Sequence, residues 1–335
     1  MKYLIPGTRL VFAFATSVVI ATGAAISHAS AAETWNFYTP SPTATTDPIK
    51  DMNAAAAEIE KETNGELKIV IHLGGSLQIQ GTDVAQAVSD NIVQAGDDQL
   101  YAGAIPIGGV TSLPALIQSQ DDSDKANAIL EPYVDAAFKK YNVTRIATFY
   151  FPPAFIFSRS KIASLGDIKG AKIRTYSPET SEIIQRFGGT PVALAFGEVA
   201  PAINRGVVDG IVTTTSTAYV FKDLVKYEFA LPLNFTGNDF IIANTDALNK
   251  LSPKNRNIVA RVFKETMSHT YQKIVDGNAA LLQKMVEGGL IVVNPPASDI
   301  PLYQKNMSSY WADWAKARGP DAEEVLGKIR AAINR

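Results

Sequence analysis

Few residues in this chain are equipped for chemistry. It holds three histidines and no cysteine, which removes disulfides, thiolate nucleophiles and cysteine-ligated zinc. His28 lies in an N-terminal stretch with the character of a leader. His72 sits in a strand-like alternation and His269 in a helical pattern. Neither has H-x-x-H or H-E-x-x-H company, so both read as structural. The chain has no G-x-S-x-G elbow, no phosphate-binding loop of the Walker type and no G-x-G-x-x-G turn. Two acidic pairs occur, Asp97-Asp98 and Asp121-Asp122. Neighbours in sequence point apart, and Asp121-Asp122 reads as a solvated turn. What remains is the basic run Lys169-Gly170-Ala171-Lys172-Ile173-Arg174. A guanidinium fork can hold a carboxylate through two parallel, charge-assisted hydrogen bonds. On spacing alone, pairing of Arg174 with a surface acid such as Asp167 is the simpler reading.

The bulk composition agrees with binding chemistry in a folded, exported protein. The chain's 335 residues leave room for two domains, and 46% hydrophobic residues supply a core without metal or disulfide support. The net charge of −2 carries no basic excess for nucleic acid. Lys2 and Arg9 are the only charges before Glu33, and between them and Ala32 lie an apolar stretch, Leu10 to Ile26, and the cleavage-type triplet Ala29-Ser30-Ala31. This is the plan of a secretory signal peptide over residues 1–31. The stretch is short for a membrane span and rich in Ala, Ser, Thr and Gly. The absence of cysteine rules out a lipoprotein anchor. The mature chain is expected to start near Ala32, to be soluble in the periplasm and to carry a net charge of about −4, with 29 basic against 33 acidic residues.

The elements that must position Arg174 alternate between strands and helices. Strands are predicted over 34–38, 67–72, 92–95 and 144–149, with helices over 47–61, 81–89 and 122–141. Asp47 is the expected cap of the first helix, with Pro48 in its first turn. A second α/β unit follows, with strands over 154–157, 172–175 and 207–213 and helices from 177 to the Gly188-Gly189 stop, over 198–205 and over 216–226. Two extended runs, 227–235 and 240–244, return the chain. Ser252 and Pro253 then open a helical pattern that persists to Glu287, about 50 Å at 1.5 Å per residue. A strand over 290–293 and helices over 298–318 and 320–334 complete the chain. Such alternation predicts helix-covered, mostly parallel sheets. A helix of that length would join two lobes.

The stretch Ile162 to Tyr219 carries an ordered set of motifs. It reads Leu165-Gly166-Asp167-Ile168-Lys169-Gly170-Ala171-Lys172-Ile173-Arg174, then Gly188-Gly189-Thr190-Pro191-Val192, Phe196-Gly197-Glu198-Val199, and Ala202 through Arg205-Gly206-Val207-Val208-Asp209-Gly210. This resembles the solute receptors of tripartite ATP-independent periplasmic (TRAP) transporters, of the dicarboxylate- and sialate-binding type. Glu58 to Ser76, Ser112-Leu113-Pro114 and the Pro253 helix extend the resemblance over essentially the whole mature chain.

The resemblance implies an α/β, two-lobed periplasmic-binding-protein fold with a mixed sheet in each lobe and a long interlobe helix. Lobe I is expected over 32–150 plus 241–279 and lobe II over 151–240 plus 280–335, with crossovers near 149–155 and 236–240. The implied activity is capture of a small organic carboxylate, without catalysis or cofactor, and delivery to a membrane permease. An ABC-type binding protein, a sensor co-receptor and an exported enzyme are the alternatives. By the resemblance, Arg174 grips the ligand carboxylate. Thr213 stands where many members have Asn, Phe196 packs on the ligand body, and Tyr38, Asp98 and Gln99 fall where the first lobe contributes polar contacts. Sialate-type members carry a second Arg about twenty residues before the motif Arg. This chain has Phe151-Pro152-Pro153-Ala154-Phe155 there, with Phe155 as an apolar wall, and Arg159 matches a different position. The departure points to a monocarboxylate, 2-oxo, 2-hydroxy or aromatic, over diacids and sialate.

Overall fold

The computed structural model describes Met1, Tyr3 and residues 32–335 except 42, 45, 100–104, 195, 236 and 237, and the side chains of Phe196 and Phe235 are not described. The expected leader and its Ala29-Ser30-Ala31 site lie outside the described residues. Residues 32–335 form one compact unit.

The first half runs β1 (Glu33–Tyr38), α1 (Asp47–Glu62), β2 (Leu67–His72), α2 (Val84–Ser89), β3 (Ala95–Asp98), α3 (Gln120–Lys139) and β4 (Val143–Tyr150). It continues with β5 (Pro153–Ser158), β6 (Lys172–Thr175), α4 (Pro178–Arg186), β7 (Thr190–Ala193), α5 (Val199–Asn204), β8 (Gly210–Thr213), α6 (Thr215–Val220) and β9 (Tyr227–Phe235). The chain closes with β10 (Asn238–Asn244), α7 (Thr245–Lys250), α8 (Pro253–Glu287), β11 (Ile291–Val293), α9 (Asp299–Arg318) and α10 (Pro320–Ala332).

Two mixed sheets result, of order β2-β1-β3-β10-β4 (sheet A) and β11-β9-β5-β8-β6-β7 (sheet B). Each contains one strand group fed from the other. β4 leads into β5, and β9 leads back into β10. Tyr150 pairs with Asn238 on one side of the crossover and Pro153 with Phe235 on the other, so the two connectors run antiparallel, side by side. β3 runs antiparallel to β10 and β8 antiparallel to β5. The carboxyl ends of β3 and β8 therefore both point at the crossover, one from each sheet.

Glycine permits close packing just upstream of both ends. A Cβ on Gly96 would meet Val84 Cγ1 at 2.8 Å, and one on Gly210 would meet the Phe157 carbonyl oxygen at 2.7 Å.

The helix α8 matches its expected bounds. Ser252 Oγ accepts from the Asn255 N–H at its start, with Pro253 in the first turn. Its first half buries Val259, Val262, Phe263 and Met267 with Trp35, Phe37 and Met52 beside sheet A. Near its end, Met285 joins Phe157, Phe221 and Leu290 beside sheet B. At about 1.5 Å per residue its 35 residues span ~52 Å, long enough to touch both sheets. The C-terminal helices also reach across. Tyr303 donates to the Leu233 carbonyl at 2.5 Å, whereas Trp311 Nε1 donates to the Pro114 carbonyl at 2.7 Å and α10 lies on α3.

Several expectations shift. The third strand begins at Ala95 because Asn91 adopts φ +57° and spends Ile92, 63% exposed, in the turn. β8 starts three residues later than expected, after Gly206 turns the chain at φ +68°. α6 ends at Val220, six residues early. Asp47 is the first residue of α1, and its cap is Thr46. Asp122 is not in a solvated turn. It lies buried in the first turn of α3 and accepts from the Gln118 N–H at 3.1 Å and from Arg335 Nη1 at 2.6 Å.

Candidate functional site

Strand pairing places three of the predicted residues on one face of sheet B. Arg174 pairs with Val192 and Ile211, and Thr213 pairs with Phe155. Paired residues share a face, and so do residues two apart. Arg174, Thr213 and Phe155 therefore line the same side, at the carboxyl ends of β6 and β8 and the start of β5. This is the end of an α/β sheet at which ligands are bound in general. The local sequence explains the placement. Ile173 and Thr175 are fully buried on the opposite face, so the alternation of β6 turns Arg174 towards its neighbours Val192 and Ile211.

Arg174 is 7% exposed. Its Nε donates to the Leu194 carbonyl at 3.0 Å, and its guanidinium carbon lies 5.7 Å from the Tyr176 ring centre. These contacts fix the plane of the fork through one nitrogen only. Among the described residues no acidic side chain forms an ion pair with it, and burial draws its pKa below the usual guanidinium value. Asp167, the alternative partner, is engaged elsewhere, accepting from the Ala163 and Ser164 N–H groups at 2.8 and 2.9 Å. A buried cation without a protein counter-ion is costly unless an anion joins it. Thr213 is 5% exposed and Phe155 half-buried. Phe196 opens the turn after β7, and its side chain is not described.

The first-lobe candidates sit at the strand ends of sheet A. Tyr38 closes β1 within the core, and its hydroxyl donates to the Ile79 carbonyl at 2.6 Å. Gln99 is half-buried and donates from Nε2 to Asp97 Oδ2 at 2.7 Å, where Thr39 Oγ1 also donates, at 3.0 Å. Asp98 closes β3 at 1% exposure, and among the described residues neither of its carboxyl oxygens has a hydrogen-bond partner. Burial, with Asp97 nearby, pushes its pKa up to about 8. Burial likewise raises Asp97 to about 6, opposed by its two donors. Asp239, buried at the start of β10, is raised by burial and then by the charges of Asp97 and Asp98.

Asp239 was not singled out from the sequence, nor was the neighbouring Asn238, whose Nδ2 donates to Asn127 Oδ1 at 2.7 Å. The one signal was a polar dipeptide set directly against an apolar strand. Tyr176 was also missed. Its hydroxyl donates to Asn234 Oδ1 at 3.3 Å, beside the crossover. Among the described residues no group of three or more His, Cys, Asp or Glu is arranged to hold a metal ion, and no helix is long and apolar enough to cross a membrane.

Comparison with known proteins bears on this arrangement. The family described as "Bacterial extracellular solute-binding protein, family 7" matches residues 41–317. A Bordetella pertussis extracytoplasmic solute receptor binding pyroglutamic acid superposes with a TM-score of 0.78 at 24% identity, covering 89% of this chain and 100% of that one. A TRAP periplasmic solute-binding protein from Ralstonia eutropha H16 with bound (S)-2-acetolactate gives 0.77 at 18% identity, covering 89% and 99%. In sequence, the ectoine-binding periplasmic protein of Halomonas elongata is 21% identical over 84% of this chain and 86% of its own. The architecture is the two-lobed fold of periplasmic binding proteins, with the long helix in place.

Proposed function

The chain belongs to family 7 of the bacterial extracellular solute-binding proteins, and from that membership we infer that it captures a small organic monocarboxylate for a TRAP permease, with Arg174 as the clamp. The observation that carries this reading is the guanidinium of Arg174, buried at a strand end without an acidic partner among the described residues. Thr213 supplies a hydroxyl on the same face for a 2-oxo or 2-hydroxy group, and Phe155 an apolar wall. A second carboxylate is disfavoured twice over. The motif position that would hold a second Arg is apolar, from Phe151 to Phe155, and the strand ends of sheet A bury Asp97, Asp98 and Asp239.

In this reading residues 1–31 are removed on export to the periplasm. Lobe I comprises 32–150 with 241–279, lobe II 151–240 with 280–335, and closure about the crossover encloses the ligand. Mass spectrometry of the ligand retained by natively purified protein tests the reading directly, supported by thermal-shift screening of carboxylates. Monocarboxylates are expected to dominate. C4-dicarboxylates binding about tenfold tighter or more would overturn it. N-terminal sequencing of the periplasmic protein is expected to begin within two residues of Ala32.

A further inference from the structure

The strand ends of sheet B remote from the crossover gather basic side chains. Main-chain hydrogen bonds set them in a row. The Lys226 N–H donates to the Ser158 carbonyl at 2.8 Å, the Arg159 N–H to the Asp209 carbonyl at 2.9 Å, and the Asp209 N–H to the Lys172 carbonyl at 2.7 Å. Lys226, Arg159 and Lys172 therefore stand at one height across four neighbouring segments, a width of about 14 Å at ~4.8 Å per strand. Arg159 Nη1 donates to the Ile203 carbonyl at 3.3 Å and lies 3.9 Å from where a Cβ on Gly206 would stand, so the turn Arg205-Gly206-Val207 sits beside the row. Lys161 follows Arg159 by two residues. Lys169 lies in the turn that enters β6, where the Gly170 N–H donates to the Gly188 carbonyl at 2.9 Å.

All six basic residues are exposed. Among the described residues none of them forms an ion pair. The acids of the same turns are engaged by the backbone. Asp209 Oδ2 accepts from the Lys172 N–H at 2.8 Å, and Asp167 Oδ2 accepts from the Ala163 and Ser164 N–H groups. Six cations against these two carboxylates leave a local excess of four positive charges, in a chain whose net charge is −2. Like charges gathered this way repel one another, and packing does not require them. The row consists of strand ends, so it offers no open ladder to which a peptide strand could add. Its charges stand on separate turns and do not converge on one point. Such a surface is complementary to a broad array of anions.

We propose that this end of sheet B rests on the anionic phospholipid headgroups of a membrane. The negative potential of such a surface decays within ~8 Å at physiological ionic strength, so charges held at one height feel it together. Val207, 46% exposed in the turn beside Arg159, offers an apolar contact within the patch. Arg174 and Thr213 lie towards the other ends of β6 and β8, so lipid contact leaves their end of the sheet open. The inference is independent of which ligand is captured. A receptor held in this way meets its permease by diffusion in two dimensions.

Co-sedimentation with vesicles tests it on the chain from Ala32 onward, a compact unit by itself. Vesicles of phosphatidylcholine with about one third phosphatidylglycerol are expected to bind the protein at low salt and to release it in about 1 M chloride, where the Debye length falls to ~3 Å. Pure phosphatidylcholine is expected not to bind it. Each of Lys161→Gln, Lys169→Gln, Arg205→Gln and Lys226→Gln should weaken binding about 5-fold, the equivalent of ~1 kcal/mol per basic residue at such a surface, and the four together by several hundred-fold. The single substitutions carry the test if the combined variant fails to fold. Neutralising Lys139, Lys140, Lys254 and Lys264 changes the net charge equally and should have little effect. No binding to the anionic vesicles, equal binding to pure phosphatidylcholine, or an equal loss in this second variant overturns the proposal. Binding to phosphatidylcholine vesicles only when they carry the permease assigns the patch to an acidic protein surface and overturns the lipid reading. Displacement by inorganic phosphate beyond that by chloride of equal ionic strength marks a discrete anion site and overturns it too.

Discussion

Among the described residues, sheet B buries one cation, Arg174, at its strand ends, and sheet A buries three carboxyls, Asp97, Asp98 and Asp239, at the ends that face the crossover. The two are built on a similar plan, with parallel strands ending at the crossover and one antiparallel strand fed through it. Neither charge pattern is required by packing. Burying Arg174 without an acid costs stability, and so does burying Asp97, Asp98 and Asp239 beside one another. On the proposed carboxylate reading the pattern is a division of labour, in which one sheet would meet the anionic end of a small molecule and the other would disfavour a second anionic group. Binding proteins commonly reject wrong ligands by this second means.

The largest effect is expected from the cationic side. Arg174→Ala should weaken carboxylate binding by about 2–5 kcal/mol, roughly 30-fold to several thousand-fold in Kd, measured by calorimetry. Arg174→Lys should recover little, because a point charge cannot reproduce the fork. Wild-type affinity in Arg174→Ala would end the comparison between the sheets.

Stability against pH isolates the acidic side. Unfolded aspartates release their protons near pH 4, whereas Asp97 and Asp98 hold theirs to about 6 and about 8 in the folded chain. The folded state therefore binds more protons across this window, and stability falls as pH rises from about 4 to about 8, by up to ~1.4 kcal/mol per pH unit for one such group. Glu228 in β9, pushed to about 7 by burial, acts in the same direction up to that value. Thermal unfolding from pH 5 to pH 8 is expected to show the decline. Asp98→Asn should reduce it between pH 7 and 8 more than Glu228→Gln does, with the buried Asp239 carboxyl, also raised, keeping part of the decline in both. Arg174 stays charged throughout and adds nothing to the slope.

A backbone comparison follows in size. Gly210→Ala drives a methyl to 2.7 Å from a carbonyl oxygen of β5, and Gly96→Ala drives one to 2.8 Å from a valine methyl and 3.1 Å from the Tyr38 carbonyl oxygen. The first should cost about 1–3 kcal/mol and the second less, read from denaturant midpoints. The smallest effect is expected at Thr213. Thr213→Val removes one neutral hydrogen bond and should weaken a 2-oxo or 2-hydroxy ligand by about 0.5–1.5 kcal/mol, leaving a ligand without that group unaffected.

Local signals made much of this legible. Ser252 and Pro253 open α8 in the sequence as they do in the fold, and the helical pattern ends at Glu287 in both. The run Lys172–Thr175 is the strand it was expected to be, with Arg174 near its end. The missed features depend on distant segments. Asp122 is buried because Arg335, 213 residues away, reaches it. Asp98 is a candidate by resemblance alone, and the burial of Asp97 and Asp98 beside Asp239 depends on β10, a strand from far along the chain. The short β7 was not read as a strand at all, since its register with β6 supplies what its four residues lack in pattern.

The long helix has a mechanical side. It is anchored firmly by Met267 and Thr270 towards one sheet and by Met285 towards the other, and between Tyr271 and Lys284 none of its side chains is fully buried. That partly buried span, with Tyr271 and Ile274 against one cluster and Leu282 against the other, covers about 21 Å at 1.5 Å per residue. Gly277 sits near its centre, with no atom near enough to touch an added Cβ. A strut clamped at both ends converts a small bend into a large displacement, and about 5° over this span moves the far clamp by roughly 2 Å. Rocking of one sheet against the other could thus be absorbed as elastic flexure of an intact helix, without breaking a single turn.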